Sequence, residues 1–399
     1  MESYSFLLII AIILLSTKVL GLASGKISMP QVVGALIAGL ILGPSVLGVV
    51  EETELLAALS EIGVIMLMFD AGLGTDLKEL KTTGVASFVI AIIGVVVPLV
   101  GGMGLYMIYF PNNGDSMYML EAVFIGVILT ATSVSITVET LRELGKLQGK
   151  VGTAIMGAAV IDDILGIVVL TVVSSFTDPN VKISVVLLKI LLFFLFVAIV
   201  GFICYKLFKI LNNQYRDQMH RRVAIYSLSF CLIMSFCAEH FFGVADITGA
   251  YFAGLLLCNL PYVRQYVSRR VSIVSYMFFS PIFFASVGVK TDLRGLTPSL
   301  LIFGLLLLLI AILTKVVGCG LGAKLCKFST HDSLSIGVGM VSRGEVALIV
   351  AQKGASCGLV SESMFAPVIL VVIVTTLITP ILLKLVMSDK KSAKPAVQA

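Results

Sequence analysis

The chain has 399 residues, 58% hydrophobic and only 13% charged, where an average soluble domain carries roughly 25% charge. Apolar stretches of about 20 residues recur to the C-terminus, which excludes a soluble domain and describes a polytopic α-helical protein of the lipid bilayer. The net charge of +5 reflects membrane topology and not nucleic-acid binding.

Thirteen spans are predicted. The first, 3–22, lacks a basic leader and a small-residue cleavage site, so it reads as a span and not a removed signal. The second, placed near 31–49, is short and ends Gly43-Pro44; the third, 55–74, ends Phe69-Asp70-Ala71-Gly72-Leu73-Gly74. The fourth covers 84–109. The fifth, 120–140, crowds Thr130, Thr132, Ser133, Ser135 and Thr137 near its middle. The sixth, 151–175, carries adjacent carboxylates, Asp162 and Asp163, with about two apolar turns on either side. Spans follow at 183–208, 223–243, 246–260 (short again) and 271–289. The eleventh, 298–323, is interrupted by Lys315, and the twelfth, 333–355, by Ser342-Arg343-Gly344-Glu345. The thirteenth, 364–387, leads into a polar tail expected to be disordered.

A charge at the bilayer centre costs roughly 3 kcal/mol on insertion scales. Two acids and one base therefore cost on the order of 10 kcal/mol, which a passive helix would not carry. Asp162, Asp163 and Lys315 read as an ion site. The seven cysteines lie mostly in apolar runs without paired spacing and read as small core residues, not a disulfide framework or metal site.

Loops after odd-numbered spans, with the span ends that lead into them and the tail, hold 21 of the 28 basic residues, including Arg216, Arg221, Arg222, Arg264, Arg269 and Arg270. The opposite side holds Lys182, Lys189, Lys290, Arg294 and Lys353. The N-terminus is thus expected outside and the C-terminus in the cytoplasm.

An internal repeat follows the same order. Gly34-Ala35-x-x-Ala38-Gly39-Leu40-x-Leu42 in the second span recurs as Gly249-Ala250-x-x-Ala253-Gly254-Leu255-x-Leu257 in the ninth. Thr75-Asp76-Leu77 recurs as Thr291-Asp292-Leu293, and Ala91-Ile92-Ile93 as Ala311-Ile312-Leu313. Members of each pair are seven spans apart. Seven is odd, so the halves have opposite orientation, a pattern of many secondary transporters with the substrate site at the midplane. Small-residue patterns also arise from close helix packing alone. The repeat aligns the fifth span with the twelfth, and their polar interruptions coincide. Such interruptions mark discontinuous helices whose freed backbone groups line a cavity. Arg343 would neutralise carbonyl ends there, and Glu345 amide ends or Arg343 itself. The plainer reading of the hydroxyls is back-bonding within one helix.

These residues resemble the monovalent cation:proton antiporter superfamily, in its branch of bacterial electrogenic sodium/proton antiporters with an aspartate pair. The resemblance rests on Thr130-Ala131-Thr132-Ser133 with Ile136-Thr137, Gly157-Ala158-Ala159-Val160-Ile161-Asp162-Asp163, Pro281-Ile282-Phe283-Phe284 with Val287-Gly288, Lys315-Val316 with Gly318, and Arg343-Gly344-Glu345-Val346. It runs from about residue 25 to 385. It implies an all-α membrane fold of about 13 helices in two inverted repeats with two crossed discontinuous helices. It also implies a dimerisation domain (1–82 and 216–294), a mobile core (83–176 and 295–388), a linker helix (177–215) and a cytoplasmic tail (389–399). A homodimer in the bacterial inner membrane, moving its core like an elevator, is the implied assembly. The family's third span usually ends F-x-x-G-L-E; here Gly74 replaces the acid and Asp70 stands one turn earlier. Asp70 lines the ion approach, substitutes for the missing acid, or is a partnered polar residue in the bundle.

Neighbouring helix positions point about 100° apart, so Asp162 and Asp163 have separate roles, one toward Lys315 and one toward water. The resemblance assigns Asp163 as the shared Na⁺ and proton site and Asp162 as the partner of Lys315. Loss of a proton from Lys315 when Na⁺ arrives would make exchange electrogenic. Hard oxygens suit alkali cations; Asp163, Asp162, Ser133 and Thr132 are the expected ligands, with Thr130 lining the cavity. No cofactor is expected beyond the transported Na⁺ and H⁺. A sodium-coupled solute symporter is the alternative, and a potassium efflux system the third, although those tend to lack the first aspartate and carry a nucleotide-binding domain. No nucleophile, nucleotide loop or metal cluster points to a hydrolytic enzyme. His240 beside Glu239 reads as solvated rather than as a pH sensor, His220 and His331 as loop residues, and Asp246 as a helix cap in preference to a cavity wall.

Overall fold

A computed structural model of the chain describes residues 5–26, 29–112, 117–176, 182–214, 220–290, 297–356, 359–360 and 364–387. With no water in the hydrocarbon to satisfy backbone groups, each apolar run closes its hydrogen bonds within itself, and the described residues are helical apart from turns and short connections. In chain order they are α1 (Ser5–Lys26), α2 (Gln31–Leu42), α3 (Glu54–Gly74), α4 (Leu77–Tyr109), α5 (Tyr118–Thr130), α6 (Val134–Glu143), α7 (Lys150–Ser174) and α8 (Ile183–Gln214). The second half holds α9 (His220–Phe242), α10 (Asp246–Leu257), α11 (Pro261–Val274), α12 (Ser280–Val289), α13 (Pro298–Leu325), α14 (Thr330–Gly339), α15 (Glu345–Ser356) and α16 (Phe365–Met387). A π-turn at Ser275–Phe279 joins α11 to α12.

Among the described residues, ten helical runs, one of them the interrupted α5–α6, are long and apolar enough to cross a bilayer, and α2 and α10 are shorter apolar helices of 12 residues each. At 1.5 Å per residue each of these spans about 18 Å, well short of the hydrocarbon. Side-chain caps set several starts. Thr53 accepts the Leu56 N–H at 3.2 Å for α3, Asp76 the Lys78 N–H at 2.8 Å for α4, and Ser329 the Asp332 N–H at 3.0 Å for α14.

Several expected boundaries move. The second span stops at Leu42, where Gly43-Pro44 turns the chain, instead of reaching residue 49. The tenth begins at Pro261, so Arg264, Arg269 and Arg270 lie on a helix and not in a loop. His220 opens α9 and His331 sits in the first turn of α14, not in loops. Hydropathy reads depth in lipid, whereas helices continue past it with their charges in the headgroup zone. Arg216, Arg294, Cys357, the repeat element Thr291-Asp292-Leu293 and the tail from 388 lie outside the described residues.

The inverted repeat appears as two equivalent close crossings. A Cβ at Gly39 of α2 would collide with the Ala285 carbonyl of α12, and one at Gly254 of α10 with the Phe69 carbonyl of α3. Glycine at these places lets backbones touch, which is how membrane helices gain packing without a hydrophobic drive. Elsewhere α4 lies along α13 and also carries α5 and α7, while α16 packs on α13 and α14. Helix α8 touches α7 of the first half and α9 and α10 of the second. The two interrupted helices, α5–α6 and α14–α15, fall in equivalent positions of the halves, against α7 and α16.

Candidate functional site

The fifth span breaks at Ala131–Ser133 and the twelfth at Met340–Gly344. Ala131 (φ −57°, ψ 135°) and Ser133 (φ −91°, ψ 105°) are extended, so α5 cannot run on into α6. The breaks meet: the Ser133 N–H donates to the Ser342 carbonyl at 2.8 Å. The Thr137 hydroxyl crosses as well, donating to the Gly339 carbonyl at 2.7 Å and satisfying a carbonyl in the last turn of α14. Any Cβ at Gly344 would fall 2.7 Å from both Cβ and Oγ of Ser133, so this crossing admits no side chain there.

Arg343 is 1% exposed. Its Nη1 donates to the Met340 and Val341 carbonyls at 3.4 and 3.3 Å, and its Nη2 to the Ala311 carbonyl of α13 at 3.4 Å. Its backbone N–H donates to Thr375 Oγ1 of α16 at 3.1 Å. The guanidinium thus covers the negative end of α14, where a cation is favoured. Glu345 opens α15, and its side chain lies outside the described residues.

Lys315 of α13 and Asp162 of α7 form a buried pair, Nζ to Oδ1 at 3.0 Å and to Oδ2 at 3.3 Å, with Lys315 0% and Asp162 2% exposed. A buried pair holds only with close geometry, since desolvation cancels much of the attraction. Beside the pair, Gly94 of α4 lets α13 approach closely: a Cβ there would collide with Cys319 Sγ, one turn on from Lys315. Asp163, the next residue, is half-buried. The two carboxylates therefore differ in burial, Asp162 enclosed beside Lys315 and Asp163 partly exposed.

Among the hydroxyls, Thr130 is back-bonded to the Val127 carbonyl at 2.8 Å, Thr132 reaches the Thr130 carbonyl at 3.5 Å, and Ser133 and Ser135 share a bond at 3.3 Å. The local reading holds for Thr130, whereas Ser133 lies in the crossing itself. Ser342 Oγ and Arg343 Nε are buried without partners among the described residues. Carboxylate, hydroxyl and carbonyl oxygens suit a hard alkali cation as cargo.

Asp70 belongs to a different network. Ser268 of α11 donates to its Oδ1, and Arg142 Nη2 of α6 stands 2.9 Å from its Oδ2. Arg142 Nη1 also meets Glu139 Oε2 at 3.3 Å. One turn on, Glu143 accepts the Gln31 and Val32 N–H groups at 2.7 and 3.1 Å, capping the start of α2. Asp70 is thus a fully engaged carboxylate tying α3 to α6 and α11. Arg142, Glu139, Glu143 and Ser268 escaped the sequence reading because they look like ordinary loop or surface charges and hydroxyls; Thr375 is hidden in a row of back-bonding threonines. The Asp246 carboxylate accepts the Ile247 N–H at 2.7 Å at the start of α10. His240 is exposed and stacked on Phe236, and His331 is exposed.

A family model described as sodium/hydrogen exchanger, transmembrane, matches residues 8–388. The chain is 41% identical over 397 residues to the Na(+)/H(+)-K(+) antiporter GerN of Bacillus cereus, covering 98% of this chain and 99% of that protein. It is 38% identical to an Na(+)/H(+) antiporter of Enterococcus hirae, over 95% of this chain and 97% of that one. The solved structure of the sodium proton antiporter MjNhaP1 from Methanocaldococcus jannaschii matches with a TM-score of 0.68 and 18% identity, over 96% of each chain.

Proposed function

Because the chain belongs to the sodium/hydrogen exchanger family, we propose that it is a secondary transporter exchanging Na⁺, and by the same chemistry Li⁺ or K⁺, for H⁺. The carrying observation is the split of the aspartate pair: Asp162 is locked to Lys315 in a dry core while Asp163 beside it is only partly buried. Asp163 takes either a proton or an alkali cation and never both, so loading one expels the other. Thr132 and Ser133 add oxygens from the broken helix. Arg343 and Glu345 compensate the helix ends, so the cation meets the aspartates and not the field of unpaired carbonyls. Arrival of Na⁺ draws Asp162 toward the cation and frees Lys315 to release its proton, which makes exchange electrogenic. No resident cofactor takes part.

In this reading the protein is a homodimer in the bacterial inner membrane, N-terminus periplasmic and C-terminus cytoplasmic, with α1–α3 and α9–α12 as the fixed part and α4–α7 and α13–α16 as the moving core. The polar ties between the two parts favour a moving core. Arg142 and Glu143 of α6 hold Asp70 and the start of α2 through ion-pair and capping contacts that can break in water-filled clefts. Joining Asp70→Cys to Arg142→Cys with a flexible thiol cross-linker, in a cysteine-free background, should stop exchange until a cleavable linker is cut. A linked protein that keeps turning over would sink the elevator.

The function itself is tested in proteoliposomes that carry a pH dye. Addition of Na⁺, Li⁺ or K⁺ outside should drive protons in the opposite direction, with a signal that saturates. K⁺ belongs in the series because the Bacillus cereus relative carries it in its name. Absence of any cation-driven proton movement, or Na⁺-driven solute uptake without it, would overturn the reading in favour of a symporter.

A further inference from the structure

We propose that Glu61, Glu239 and Asp246, together with the Ser235 hydroxyl, form a binding site for a divalent cation of the calcium class, separate from the transport site. Glu61 lies two turns into α3, Glu239 in the last turn of α9 and Asp246 at the start of α10. One carboxylate oxygen from each can be chosen so that all three lie within 4.8 Å of one another. Oxygens on opposite sides of a Ca²⁺ bound at 2.3–2.6 Å are about 4.6–5.2 Å apart. The three acids therefore fit one coordination shell without moving a backbone.

Two further features separate this cluster from ordinary surface acids. The carboxylates share a cavity of about 340 Å³ with Ser235 and His240. Ser235 is only 2% exposed, and apart from the weak thiol of Cys231 one turn back, its hydroxyl has no hydrogen-bond partner. A buried hydroxyl left unbonded is costly, and a cation with its retained water supplies what it lacks. The cluster is also set in position from the backbone: Glu239 accepts the Asp246 N–H, and Asp246 accepts the Ile247 N–H at 2.7 Å. Among the described residues, no lysine or arginine pairs with Glu61 or Glu239.

The ligand set decides the class. Carboxylates, a hydroxyl and water are hard oxygens, and their flexible, open arrangement suits Ca²⁺ with its six to eight ligands better than Mg²⁺, which demands a tight octahedron. His240 stays exposed at the rim against Phe236, so the oxygens dominate. Glu61 and Glu239 are exposed and Asp246 partly so, which places the affinity in the weak range of extracellular modules, about 10⁻⁴–10⁻³ M. A bound ion would pin α3 to the α9–α10 hairpin.

Equilibrium dialysis of the detergent-purified full chain against radioactive CaCl₂ tests this. One saturable site per chain is expected, with Mg²⁺ competing at least about tenfold more weakly. Glu61→Gln/Glu239→Gln should lose the site, and Ser235→Ala should weaken it, while both keep Na⁺-driven proton movement as the check of folding. Should the double variant fail to fold, Glu61→Gln alone should bind Ca²⁺ at least about tenfold more weakly. Asp163→Asn should bind Ca²⁺ as the wild type does. No saturable binding up to about 10 mM, equal binding in the folded carboxylate variants, or loss of binding in Asp163→Asn would each overturn the proposal.

Discussion

Asp163→Asn should silence exchange while leaving the protein folded. The amide keeps the shape and the half-buried setting of the carboxylate but can neither take a proton nor balance a cation. A unit charge about 4 Å from the ion at an effective dielectric near 20 contributes about 4 kcal/mol, which is about a thousandfold in affinity. Cation-driven proton flux in vesicles should therefore fall to background for Na⁺, Li⁺ and K⁺ alike. Thermal stability should hold or rise slightly, because a partly desolvated charge is removed and Asp162 keeps Lys315. Glu at the same position preserves the charge, so Asp163→Glu should retain weak exchange with altered ion preference. Full exchange by the amide variant would show that the shared site lies elsewhere.

The candidate-site residues were legible in the sequence because membrane insertion makes them expensive. Asp162, Asp163 and Lys315 stand alone in apolar runs, and a cost that large is carried only where charges meet, as Lys315 and Asp162 do at 3.0 Å. The two breaks were legible for a related reason: Thr132-Ser133 and Ser342-Arg343 interrupt equivalent spans of a repeat, and their backbones meet at the Ser133–Ser342 bond. What escaped lies where charge is cheap. Arg142, Glu139 and Glu143 sit near a helix end, where sequence alone cannot tell a solvated side chain from a tie between helices. Only the fold shows that Asp70, Ser268 and the N-terminus of α2 come to them. Arg264, Arg269 and Arg270 made α11 look like a loop for the same reason, since hydropathy measures position in lipid and is blind to helix beyond it. The Thr375 contact to the Arg343 N–H is a third kind of omission. A hydroxyl that bonds its own helix, as Thr375 does to Val371 at 2.7 Å, leaves no mark in sequence when it also serves a neighbour.

Lys315→Gln should be the most destabilising single change at this site, and it separates the structural role of the pair from its transport role. Asp162 would stay 2% exposed with no ammonium at 3.0 Å. Removing one member of a buried pair costs about 3–5 kcal/mol because the other charge is left uncompensated. Asp162→Asn/Lys315→Gln removes both charges and restores a neutral hydrogen bond, so its melting temperature should return most of the way to that of the wild type. The order expected in detergent is therefore wild type, double variant, single variant. Exchange should survive in the double variant, since Asp163 still swaps one proton for one Na⁺, but it should become electroneutral. Collapsing or imposing a membrane potential across the vesicles would then leave its rate unchanged, whereas the wild type should respond. If the double variant keeps its voltage dependence, Lys315 does not carry the second proton and the pair is purely structural. If the single variant is as stable as the wild type, Asp162 finds another partner on losing the lysine, and Arg343, the other buried cation at the crossing, is the group to test next.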